Sequence, residues 1–135
     1  MAGTVVQTKN DYGLENNMRE IVCTCVADAA AATVPDTALT EDMSGWWLER
    51  IVVNPGTTAP TVNSDITLED ADGVDVLGGA GTNLIHNTAS THAFPLNATV
   101  PVRVPITGTL TQTIANNAVN SANIVIKYIF TKYKW

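Results

Sequence analysis

A chain of 135 residues can bury one core and leaves little room for a second, so a single domain is expected. Hydrophobic residues make up 45% of it, which excludes wholesale disorder, and only 15% are charged, with Thr and Asn taking many polar positions. A formal net charge of −6 argues against nucleic acid as the main partner, because phosphate binding needs clustered Lys and Arg.

No run of 18 apolar residues occurs, so no membrane-spanning helix and no membrane partner are expected. The opening MAGTVVQTKNDYGLENN lacks the basic and apolar regions of a secretion signal, which points to assembly in the cytoplasm. Charge is uneven along the chain. Residues 1–75 hold all thirteen acids against Lys9, Arg19 and Arg50, a net −10. Residues 76–135 hold Arg103, Lys127, Lys132 and Lys134 and no acid. Either strands from the two halves interleave and the asymmetry disappears in three dimensions, or acidic and basic surfaces meet complementary neighbours in an assembly.

In chain order, Thr4–Thr8 reads as a short edge strand or arm, within an N-terminal arm 1–17. Met18–Ala27 alternates cleanly, with Ile21, Cys23, Cys25 and Ala27 on one face and Val22, Thr24 and Val26 on the other, as in a central strand. An Ala-rich loop follows to Asp36, and Thr37–Ser44 has the N-cap chemistry for one helical turn ended by Gly45. Trp46–Asn54 is the next strand, stopped by Asn54-Pro55-Gly56.

Asp65–Ala71 and Val74–Leu77 flank Asp72-Gly73, the dipeptide suited to a type I′ hairpin turn. Gly78, Gly79 and Gly81 then open a flexible loop to about Ser90. Val100–Ile106, carrying Pro101 and Pro105, is an edge or extended segment. Gly108–Ala115 and Asn123–Tyr133 are long strands, the second placing Ile124, Ile126, Tyr128 and Phe130 on one face. The sum is an all-β chain: a single-domain antiparallel β-sandwich over 18–131, jelly-roll-like, with seven or eight strands and at most one helical turn. Residues 132–135 form a basic aromatic tail.

The motifs speak against catalysis and against a resident metal or cofactor. His86 and His92 are the only histidines, and Cys23 and Cys25 have C-x-C spacing on a separate strand. Two residues apart on one strand face, these thiols are poorly placed for a mutual disulfide and read as buried small hydrophobes. Gly78-Gly79-Ala80-Gly81 opens no apolar-periodic helix, so it is not a phosphate loop. Asp70, Asp72 and Asp75 resemble a calcium loop, yet Gly73 stands fourth where an EF-hand needs Gly sixth, and Gly81 stands where it needs Glu. Two readings remain, a hairpin with acids at its tip and an irregular calcium site. Trp46 and Trp47 put one indole on each face of a strand, one for the core and one near the surface or an interface.

Val34-Pro35-Asp36-Thr37-Ala38-Leu39, Asn54-Pro55-Gly56, Asp65-Ile66-Thr67-Leu68 and Asp75-Val76-Leu77-Gly78-Gly79 together resemble small virion structural proteins of tailed bacteriophages. A closing pattern, Gly108-Thr109-Leu110-Thr111 and then Asn120-Ser121 before an apolar strand, is similar too. Size and fold are most like capsid decoration, or cement, proteins. The resemblance implies a non-enzymatic protein that binds the major capsid protein on the head exterior as a homo-oligomer, a dimer or trimer. A tail, collar or fibre-base component, and a glycan-binding module of a receptor-binding protein, are the alternatives. The candidate interface residues are Trp46, Trp47, Asp70, Asp72, Asp75, Lys132, Lys134 and Trp135.

Overall fold

The computed structural model describes residues 2–132. Eleven strands follow one another: β1 (Thr4–Tyr12), β2 (Met18–Val26), β3 (Thr37–Ala38), β4 (Trp47–Pro55), β5 (Asp65–Glu69), β6 (Thr91–Ala93), β7 (Leu96–Asn97), β8 (Val100–Pro101), β9 (Val104–Pro105), β10 (Thr111–Ala115) and β11 (Asn123–Thr131). The large sheet runs β1-β2-β11-β4-β6, with β9 also paired to β4. The small sheet runs β3-β10-β5, and β7 and β8 form a separate ribbon. Every pairing is antiparallel.

Alternation explains which face of the large sheet turns inward. Ile21, Cys23 and Cys25 of β2, Ile124, Ile126, Tyr128 and Phe130 of β11, and Leu48, Ile51 and Val53 of β4 are all fully buried. The small sheet covers them with Ile66 and Leu68, and the two layers share one apolar cluster. Burial of such side chains contributes about 25 cal/mol per Å² of apolar surface, the main driving term of the fold.

One polar group crosses this core. Gln112 takes a core position in β10, where its Oε1 accepts from the Tyr128 hydroxyl at 2.6 Å and its Nε2 donates to Cys25 Sγ at 3.6 Å. Because β11 lies between β2 and β4, the acid-free half of the chain is threaded through the acid-rich half. Interleaving is therefore the observed arrangement.

The all-β antiparallel sandwich stands, with eleven strands where seven or eight were expected. The extra ones are two- and three-residue pairings: β3 in the segment read as a helical turn, β6 and β7 in the unassigned stretch after the expected loop, and β8 and β9 inside the segment read as an edge or extended piece. The expected helical turn over Thr37–Ser44 is absent. Thr37–Ala38 joins the small sheet, and the Asp42 carboxylate accepts from the Ser44 N–H and hydroxyl in a local turn instead of capping a helix. The one helical turn among the described residues is a 3-10 turn at Leu14–Asn16. Within the expected N-terminal arm, Thr4–Tyr12 pairs with β2 along all nine residues as the sheet edge.

The hairpin after β5 also differs in type. Gly73 alone of the Asp72-Gly73 pair has positive φ (78°), and its N–H donates to Asp70 O. That is a turn centred on Ala71–Asp72 followed by a left-handed glycine, the bulged three-residue form. The glycine loop is packed rather than free. Successive i→i+3 hydrogen bonds run from Asp75 to Leu84, and Val76 and Leu77 are buried. Gly81 and Gly78 are required by close approach, since an added Cβ would lie 2.0 Å from Ile66 O and 1.8 Å from Leu96 O respectively.

Candidate interaction surface

The inner face of the large sheet is covered, and among the described residues nothing covers its outer face. That outer face carries Val6, Thr8 and Tyr12 of β1, Met18, Val22 and Val26 of β2, Val125, Lys127 and Ile129 of β11, and Trp47 and Val52 of β4. These side chains are half-buried or exposed, so the face is a broad, mildly apolar plate dotted with polar groups.

One end of it, at the start of β4, is shaped by a β-bulge. Opposite Phe130 stands Leu48 and opposite Ile129 stands Arg50, so Glu49 is the extra residue of β4. Without it the strand would point Glu49 or Arg50 inward. With it, Leu48 and Ile51 both reach the core, three residues apart, and Glu49 and Arg50 both stay outside. Glu49 Oε1 accepts from the Thr131 hydroxyl at 2.5 Å and pairs with Arg103 Nε at 3.0 Å. Arg50 Nε is buried and has no hydrogen-bond partner among the described residues. Around these groups Met18, Phe94 and Ile129 complete an open depression of about 430 Å³. Two guanidiniums, of Arg50 and Arg103, and the Glu49 carboxylate thus share this depression with the apolar side chains.

The expected interface residues do not gather in one place. Trp46 is buried, with the Arg19 guanidinium 4.7 Å and the Lys132 ammonium 5.5 Å from its ring centroid. Arg19 is held in turn by Asp11 at 2.7 Å and Glu41 at 3.6 Å, and Lys9 also pairs with Glu41. The Arg19 hydrogen bond keeps the Asp11 carboxyl below its ordinary range. Trp46 and Lys132 thus belong to a closing cluster at the sandwich rim, beside a smaller 240 Å³ depression. Burial removes Trp46 as a platform for stacking a sugar ring. Trp47 is half-buried on the outer face, near the bulge. Lys134 and Trp135 lie outside the described residues.

Asp70, Asp72 and Asp75 sit at the β5 hairpin, where two of them serve the backbone. Asp75 accepts from the N–H groups of Leu68, Leu77 and Gly79, and Asp70 accepts from Asp72 and Val74. Both carboxylates fix turns, the role the hairpin reading gives them. Among the described residues no group of three His, Cys, Asp or Glu is placed to hold a metal ion. His86 Nδ1 accepts from the N–H groups of Thr88 and Ala89, a loop-fixing role. Burial pushes the thiols of Cys23 to about 12 and Cys25 to about 11, so at neutral pH both are protonated and poor nucleophiles.

Two features escaped sequence reading. The bulge was signalled by apolar positions 48, 51 and 53, one step out of phase with strict alternation. Gln112 was signalled by its place between Leu110 and Ile114 on an inward face.

The fold is an all-β two-sheet domain with one sheet face left uncovered by the described residues. No protein-family model matches the chain, and no curated protein matches its sequence.

Proposed function

We propose that the protein is a bacteriophage virion structural protein that decorates the head, docking on the major capsid protein through the outer face of its large sheet. The observation that carries this reading is the outer face itself, left uncovered by the described residues, with its depression at the Glu49–Arg50 bulge beside Met18, Phe94 and Ile129. A stable plate of this kind makes many weak contacts over a wide area, and repetition on a symmetric lattice converts them into tight occupancy. The resemblance in turns and strands to small virion proteins supports the same reading.

The test uses heads of the encoding phage assembled without this protein. Added protein co-sediments with them and raises their resistance to heat, while Arg50→Glu weakens both effects. Attachment to tails in place of heads would transfer the protein to the tail or collar, and attachment to neither would remove the virion reading.

A further inference from the structure

We infer that the edge of β1, unpaired among the described residues, is a homodimer interface, at which two copies join their large sheets antiparallel about a two-fold axis through Thr8. The direction of each strand's hydrogen bonds fixes this register. At one end of β2 the Ala27 N–H donates to Ala122 O, and at the other the Lys132 N–H donates to Asn17 O. Odd-numbered residues of β2 therefore bond β11, and even-numbered ones bond β1. Through the pairing Met18↔Tyr12 to Val26↔Thr4, the even residues of β1 face β2. The backbone N–H and C=O groups of Val5, Gln7, Lys9 and Asp11 are then directed to the open edge.

That edge is nine residues long, with no proline and no bulge, and it pairs in register throughout. Its two charged residues, Lys9 and Asp11, point inward and are already paired, with Glu41 and Arg19 respectively. A second copy is its best-matched occupant because the strand is self-complementary. Paired about Thr8, Val5 meets Asp11 and Gln7 meets Lys9, and all four outward residues of each copy find hydrogen-bonding partners. Thr8 faces Thr8 on the outer side, a favourable cross-strand pair. Val6 and Tyr12, 60% and 48% exposed in the single chain, become diagonal neighbours across the axis. On the inner side Lys9 is already neutralised by Glu41 at 3.7 Å, and Gln7 is already fixed by Ala38 and Thr40. The edge side chains are thus ordered before association.

A two-fold axis perpendicular to the sheet leaves both outer faces on one side. The dimer carries two bulge-centred depressions on a single continuous sheet. This deepens the capsid-docking reading by doubling its contact surface, but the contact is tested on the isolated protein and does not depend on heads.

The experiment combines solution mass with site-directed cross-linking. Wild type runs as a dimer, and Lys9→Pro runs as a monomer with its cooperative melting retained, because the lost N–H points away from β2. Thr8→Cys forms a covalent dimer under mild oxidation, since non-hydrogen-bonded antiparallel neighbours stand about 4.5 Å apart at Cα, within disulfide reach. Asn10→Cys does not, because it faces Val6 and the two Asn10 positions stand roughly 13 Å apart along the strands. The buried native thiols leave the background low. A monomeric wild type, a dimer that persists in Lys9→Pro, or cross-linking of Asn10→Cys at the rate of Thr8→Cys would each overturn the inference.

Discussion

The buried Tyr128–Gln112 hydrogen bond offers the sharpest internal test of the fold. Both groups are sealed from water, at 0% and 1% exposure, and the 2.6 Å bond is the only one the Gln112 Oε1 and the Tyr128 hydroxyl make among the described residues. Tyr128→Phe keeps the ring and creates no large cavity, but it strands a carbonyl oxygen in the core, at a cost of about 2 kcal/mol. Gln112→Leu strands the phenol and removes the donor to Cys25, again about 2 kcal/mol. The double variant replaces both partners by apolar groups and leaves nothing unsatisfied on that side. It should lie about 2 kcal/mol above the additive sum, a coupling equivalent to about 30-fold in the folding equilibrium constant. Urea unfolding followed by tryptophan fluorescence measures each variant, with the slope held constant as the check on two-state behaviour. Additivity within about 0.5 kcal/mol would refute a core linked through this bond.

Further outcomes follow from other positions. Gly81→Ala should cost more than Gly79→Ala. The added Cβ at Gly81 meets Ile66 O at 2.0 Å, whereas Gly79 has open space and only a positive φ, worth about 1 kcal/mol; thermal melting ranks them. Asp75→Ala removes the acceptor of three backbone N–H groups and should destabilise by about 2 kcal/mol, while Asp72→Ala stays near neutral and calcium shifts neither melting curve. Cys23 and Cys25 should resist thiol reagents in the native protein and react only after unfolding. Their folded-state values are raised, so their contribution is complete below the unfolded value of 9.0 and is lost as pH climbs toward 12, and chemical denaturation should record falling stability over that window. Asp11, Asp28 and Asp42 are depressed, by the Arg19 hydrogen bond, by the Ala31 and Ala30 N–H groups and by Ser44 respectively. Their contribution is present above the usual carboxylate range and is lost as pH falls below it, so the same denaturation series should fall on the acid side.

Strands were legible wherever one face had to be buried. Ile21-Cys23-Cys25 and Ile124-Ile126-Tyr128-Phe130 announce their inward faces because the side-chain period of two leaves no other register. Short strands such as Leu96–Asn97 were not, because two residues carry no period and their pairing depends on distant backbone. The turn expected at Asp72-Gly73 forms one residue earlier and is of another type, since Asp70 captures the Asp72 and Val74 N–H groups and centres it on Ala71–Asp72. Thr40-Glu41-Asp42 carried helix-cap chemistry, yet Gln7 across the fold accepts from the Thr40 N–H and Glu41 pairs with Arg19, contacts that local sequence does not reveal. The outer-face depression was hidden for a related reason. Glu49-Arg50 looked like ordinary strand polarity until the bulge opposite Ile129 put both on one side.

The central claim is that the uncovered face docks on a protein lattice, and site-specific labelling tests it most directly. With Thr24→Cys on the outer face and Thr109→Cys beside the small sheet, each carrying a fluorophore, binding to heads lacking the protein is measured by co-sedimentation and probe environment. The account predicts binding with a shielded, blue-shifted probe at position 24 and an unchanged probe at position 109. Shielding at position 109 alone, or no binding to heads by the unlabelled protein, would contradict it.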